Sequence, residues 1–168
     1  DSHCKRTHPG HSIKYQGLPP DAGRWRIFSS GVSHFSIQKS AALLGLGYNA
    51  VVPVASDDRF RMDPRALDTA IEQCLAEGNI PLAVVATAGT TDFGSIDPLN
   101  PIAEICRRHQ VWMHVDAAYG CGLLVSQRFA DRIDGICHAD SVTVDYHKSF
   151  FQPVSCGAFF VRDHQHLE

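Results

Sequence analysis

The sequence contains no apolar run approaching the roughly 20 residues needed to cross a bilayer, so no membrane association is expected. Its first residues lack a charged region followed by an apolar stretch, so no export signal is read and a cytoplasmic location is expected. It has no stripe of Lys and Arg, and its net charge of −3 gives nucleic acid little to attract it. Cys-x-x-Cys is absent. The six cysteines (Cys4, Cys74, Cys106, Cys121, Cys137 and Cys156) are scattered, most of them in apolar segments, and read as free thiols in a reducing compartment. Internal repeats and low-complexity segments are absent too.

Two patterns that look informative are set aside. Gly45-Leu46-Gly47-Tyr48-Asn49-Ala50 fits G-x-G-x-x-A, but it follows a helical pattern and precedes a strand, the reverse of the dinucleotide-binding context. It reads as a helix C-cap, where glycine tolerates the left-handed conformation. His3, Cys4, His8 and His11 fall in a polar stretch whose spacing matches no regular zinc finger, and no metal is expected there.

What is present fits one soluble globular domain. The chain has 168 residues, 44% apolar and 20% charged, enough for one substantial core. Residues 1–23 form a polar, turn-rich segment, and residues 24–168 carry alternating strand and helix patterns. Strands are expected over Arg26 to Ser29, Ala50 to Ala55, Pro81 to Ala86, Val111 to Val115, Ser141 to Val144 and Gly157 to Val161. Helices are expected over about Ser36 to Leu46, with Ile37, Ala41 and Leu44 on one face, and from Asp63-Pro64 to Gly78. In the latter, Leu67, Ala70, Ile71, Cys74 and Leu75 share an apolar face. Asn100-Pro101 is expected to open a third helix burying Ile102, Ile105 and Cys106, and Ser126 to His138 is helical or irregular. The uninterrupted apolar run Pro81 to Ala86 predicts a sheet covered on both faces. The fold class is α/β, a mainly parallel sheet flanked by helices.

Polar clusters follow the strands, at the edge where open α/β sheets bind ligands. Ser29 to His34 follows the first; Thr87 to Gly94 follows the third; Asp116 stands at the tip of the fourth. Asp145, Tyr146, His147 and Lys148 end the fifth. Lys148, with an apolar strand before it and Phe150-Phe151 after it, is a candidate Schiff-base former, because partial desolvation disfavours the ammonium and frees the amine. Together the clusters offer an amine (Lys148), a carboxylate (Asp116), an imidazole (His34) and hydroxyls (Thr90, Thr91). That set suits pyridoxal 5'-phosphate, whose aldehyde needs a lysine and whose ring nitrogen needs a carboxylate. Ala117 and Ala118 would leave room for the ring.

Ser33-His34, Ala86 to Thr91 with Asp97, His114 to Gly120 and Asp145 to Lys148 resemble the group II pyridoxal-phosphate-dependent amino-acid decarboxylases in order and spacing. The resemblance covers about Arg24 to Arg162 and implies the central part of a fold-type I large domain. It implies that Lys148 holds the cofactor's aldehyde carbon, Asp116 pairs with the ring nitrogen, and His34 stacks on the ring and orients the substrate carboxylate. It further implies that Thr91 lies near the phenolic oxygen, Ala118 packs on the ring and His147 bonds the phosphate. Asp97 would stand behind Asp116 and the threonines. Several relatives carry asparagine where this chain has Asp145, whose role stays open. Phe150 to Ser155 resembles the diaminobutyrate and lysine decarboxylase branch. The expected reaction is therefore decarboxylation of an L-amino acid, L-2,4-diaminobutyrate first, with glutamate, lysine or an aromatic amino acid as alternatives. An aminotransferase or desulfurase of the same fold type, and a non-catalytic interaction fragment, also stay open. A homodimer is implied for the full-length protein. A glycine- and serine-rich phosphate loop is expected before Asp1 and a small domain after Glu168, so the 168 residues alone are expected to have little activity.

Overall fold

The computed structural model describes residues 2–167. Six strands form a single sheet: β1 (Trp25–Ser30), β2 (Val51–Val54), β3 (Ile80–Thr87), β4 (Trp112–Asp116), β5 (Ser141–Asp145) and β6 (Gly157–Val161). Their order is β2-β1-β3-β4-β5-β6. The first five run parallel and β6 is antiparallel to β5. The strand order reverses between β1 and β3, which opens a crevice beyond the carboxyl ends of those strands.

One face of the sheet is covered by α4 (Pro64–Ala76) and α5 (Leu99–His109), which bury Leu67, Ile71, Ile102 and Ile105 against Phe28, Val84, Met113 and Val115. Asp63 caps α4 by accepting the Arg65 N–H at 2.8 Å, with Pro64 in the first helical position as expected. Leu75 is half exposed and lies off the buried stripe. α5 starts at Leu99, before the expected Asn100. Asn100 does not cap it; its amide donates to Asp134 at 2.8 Å instead.

On the opposite face the described residues leave an open crevice. Ile27, Ala83, Val85, Trp112, His114 and Phe159 alternate with the core residues and line the crevice. α3 (Ser36–Leu43) bounds it, and Ile37, Ala41 and Leu44 turn their apolar stripe to this crevice. Leu44 itself is past the helix end, and Gly45 and Gly47 take positive φ there as the C-cap reading requires. β2, expected to be of a buried type, is the sheet edge. Exposed Pro53 marks it, since proline has no N–H to donate to a further strand.

The first segment is less loop-like than expected. It contains α1 (Ser2–Thr7) and α2 (Ile13–Gln16), and buried Cys4 packs with Ala22 and Trp25. The histidines have separate partners: His8 lies 3.2 Å from the Asp21 carboxylate, and His11 bonds the Gly17 carbonyl at 2.9 Å. All six cysteines are free thiols; Cys137 and Cys156 are exposed and the other four buried. Among the described residues, no helix is long and apolar enough to cross a membrane.

Candidate active site

The crevice has a volume of about 1060 Å³ and gathers five of the six residues singled out from the sequence: His34, Thr91, Asp116, Ala118 and Lys148. Each arrives by a different route. His34 sits in the turn after β1, Thr91 in the loop after β3, Asp116 at the end of β4 with Ala118 two residues on, and Lys148 in α6 (Tyr146–Ser149) directly after β5. Lys148 and Asp116 therefore open on the same space, and β4 and β5 are hydrogen-bonded neighbours.

His34 is oriented by Ser36. The Ser36 N–H donates to Nδ1 at 3.3 Å and the Ser36 hydroxyl lies 2.8 Å from the same atom, so Nδ1 is an acceptor and Nε2 carries the proton of the neutral ring. The Asp116 carboxylate accepts the Ala118 N–H on Oδ1 at 3.0 Å, while Oδ2 has no hydrogen bond among the described residues. Beside it, Thr87 pairs with Asp116 across β3 and β4, and its buried hydroxyl has no partner among the described residues. Thr90 is buried with its hydroxyl 2.8 Å from that of Ser95, so it shapes the loop, and exposed Thr91 faces the crevice.

Asp97, expected behind Asp116 and the threonines, contacts the backbone of Thr87. It is buried; its two oxygens accept the Met62 N–H and the Thr87 N–H, both at 2.7 Å. Burial pushes its carboxyl above the ordinary range, and these two donors oppose the shift. Asp97 thereby ties the entry to α4 to the end of β3.

Two placements differ from expectation. His147 does not line the crevice: its Nδ1 is 2.9 Å from the Cys156 carbonyl, and its Nε2 lies 3.7 Å from Asp145 Oδ2. Lys148 is not the desolvated side chain expected. Its side chain is 42% exposed and Nζ is ion-paired with Asp145 Oδ2 at 2.9 Å.

A further group was not assigned a role from the sequence. On the crevice floor, Trp112 Nε1 donates to the Ser141 hydroxyl at 2.9 Å, and that hydroxyl lies 2.8 Å from His114 Nδ1. His114 Nε2 is 3.2 Å from the Thr143 hydroxyl, and Phe159 stacks on the ring at 5.9 Å. Burial holds the imidazole below its ordinary value, although Asp116 opposes this. The signal was available as the period-two alternation of polar residues Trp112, His114, Asp116 and Ser141, Thr143, Asp145.

The profile of the pyridoxal-dependent decarboxylase conserved domain matches residues 10–168. The chain is 52% identical over 145 residues to an L-2,4-diaminobutyrate decarboxylase of Rhizobium meliloti (strain 1021), covering 86% of this chain and 29% of that protein. It is 45% identical over 150 residues to a cysteine sulfinic acid decarboxylase of Homo sapiens, covering 89% and 30% respectively. The glutamate decarboxylase domain of a diaminobutyrate-pyruvate transaminase and L-2,4-diaminobutyrate decarboxylase from Vibrio parahaemolyticus superposes with a TM-score of 0.94 at 47% identity, over 98% of this chain and 36% of that one. The chain thus spans about 30% of the length of the curated relatives it matches.

Proposed function

The chain belongs to the pyridoxal-dependent decarboxylase family, and from that membership we propose that the full-length protein converts an L-amino acid to its amine and CO2 with pyridoxal 5'-phosphate. L-2,4-Diaminobutyrate is the favoured substrate and 1,3-diaminopropane the product, supported by the 52% identity to a decarboxylase of that amino acid. The observation that carries the reading is the opening of Lys148 and Asp116 on one crevice.

The donor set fits the cofactor. It comprises an amine on Lys148 and a carboxylate on Asp116 with one oxygen unengaged among the described residues, both open to the same crevice. Bound there, the cofactor supplies an electron sink for the pair released when the Cα–carboxylate bond breaks. Lys148 Nζ is the amine that would hold the cofactor's aldehyde carbon. Asp116 Oδ2 holds a proton on the ring nitrogen, which keeps the ring electron-poor. His34, whose Nε2 carries the proton, stacks on the ring and offers that N–H to the substrate carboxylate. Ala118 leaves space against the ring, Thr91 contacts it near the phenolic oxygen, and His147 bonds the phosphate. The His147 role requires its Nε2 to turn from Asp145 to the phosphate.

Residues 24–168 form the central part of the cofactor domain, with 1–23 preceding it. The protein works as a cytoplasmic homodimer; six free thiols fit a reducing compartment. A second reading, decarboxylation of an acidic amino acid, is supported by the likeness to the human cysteine sulfinic acid enzyme. The test is to offer the full-length protein diaminobutyrate, glutamate, cysteine sulfinate, lysine and an aromatic amino acid in turn and measure CO2. Fastest release from diaminobutyrate supports the first reading and fastest release from an acidic amino acid the second. Keto-acid formation without CO2 would overturn both.

A further inference from the structure

We propose that Asp145 is a latch on Lys148: before a carbonyl ligand enters, its carboxylate holds the amine at the end of β5, and capture of the ligand must break that pair. The inference rests on the reading of the crevice as a pyridoxal phosphate site.

The latch is built into the backbone. Asp145 is the last residue of β5 and Lys148 follows within the single turn of α6, so Nζ folds back to Asp145 Oδ2 at 2.9 Å. Both side chains line the crevice, but Asp145 is 21% exposed against 42% for Lys148, so the acid is the more fixed partner. Across the antiparallel pair, Asp145 faces Gly157. A Cβ at Gly157 would stand 2.9 Å from Asp145 Oδ1 and 3.1 Å from the Val144 carbonyl, so only glycine leaves this carboxylate its seat. His147 completes the arrangement. Its Nδ1 must donate to the Cys156 carbonyl, which turns Nε2 towards the same Oδ2 at 3.7 Å.

An amine adds to a carbonyl carbon through its lone pair, and an ammonium docked on a carboxylate has none to offer. The pair must open and a proton must leave before Nζ forms its bond to the aldehyde carbon, the carbonyl oxygen departing as water. Asparagine at 145 would keep the shape and an acceptor oxygen while removing the charge. Asp145 is thus a positioning residue, acting on ligand capture through Lys148. Because the pair is partly exposed, opening it costs little, and the expected gain in rate is about two- to fivefold.

The experiment uses the full-length protein stripped of cofactor, with pyridoxal 5'-phosphate or pyridoxal as the probe. Samples are quenched at intervals with borohydride, whose hydride reduces the C=N bond to a stable C–N bond, and the Lys148 peptide is weighed. The Asp145→Asn protein should accumulate the adduct about two- to fivefold faster than wild type with both aldehydes. Equal rates would overturn the latch. So would a gain confined to the phosphorylated aldehyde, because Asp145 would then act on the phosphate. Should the variant not fold, the wild type still decides: its rate with pyridoxal should rise towards about 1 M salt, where the screening length is about 3 Å, and a salt-independent rate overturns the proposal. No adduct at Lys148 in wild type with either aldehyde would instead overturn the underlying reading of the site.

Discussion

Thr87 and Asp116 stand side by side at the ends of β3 and β4, and a single buried acid, Asp97, fixes the Thr87 backbone that sets their spacing. The same acid holds the Met62 N–H, so the crevice wall and the start of α4 share one support.

Asp97→Asn should therefore destabilise the protein. An amide offers one acceptor oxygen, so either the Met62 or the Thr87 N–H faces an NH2 group and is left buried without a partner. A loss of about 1–3 kcal/mol is expected, read as a lower unfolding midpoint in urea or heat. An unchanged midpoint would show that the two bonds do not hold the wall.

Lys148→Ala in the full-length protein should abolish the borohydride-trapped pyridoxyl adduct on the peptide spanning Tyr146 to Ser149. It should also remove the visible absorption of the bound cofactor. An adduct persisting at full yield would place the attachment point on another lysine.

Asp116→Ala should retain that adduct, because the attachment is through Lys148, yet lose turnover by about 10²-fold or more. Near-normal turnover would remove the carboxylate from the chemistry.

His114 gives a pH signature. Its folded value is held below the ordinary 6.5 by burial, so the folded state binds the proton more weakly than the unfolded chain. The stability this confers is complete above about 6.5 and is lost as pH falls from there through the lowered folded value. A His114→Gln variant, which keeps hydrogen-bonding capacity without the titration, should lose less of its thermal midpoint between pH 7 and 5 than wild type. Parallel profiles would contradict the assignment.

Cys106 is pushed up to about 12 by burial, with Asp140 adding to the shift. Iodoacetamide at pH 8 should leave it unmodified in the native protein and alkylate it after denaturation, as peptide mass spectrometry would show. Labelling of Cys106 in the native state would mean that α5 opens readily from the sheet.

Much of this was legible in the sequence because it depends on local periodicity and on which residues end strands. Asp63-Pro64 specified the start of α4, Gly45 and Gly47 the end of α3, and alternating strand and helix patterns the parallel sheet. Lys148, Asp116, His34, Thr91 and Ala118 followed from their positions after strands, since parallel strands all deliver their carboxyl ends to one edge. Other features could not be read this way, because they join residues far apart in the chain or depend on side-chain direction. The apolar run of β3 does not tell which of its side chains meet α4 and α5 and which open on the crevice; strand order and helix placement decided that. The pairing of Lys148 with Asp145, and the room Gly157 leaves for it, depended on β6 returning antiparallel beside β5. Strand order is set by burial and chain connection over the whole sheet, and no local pattern encodes it.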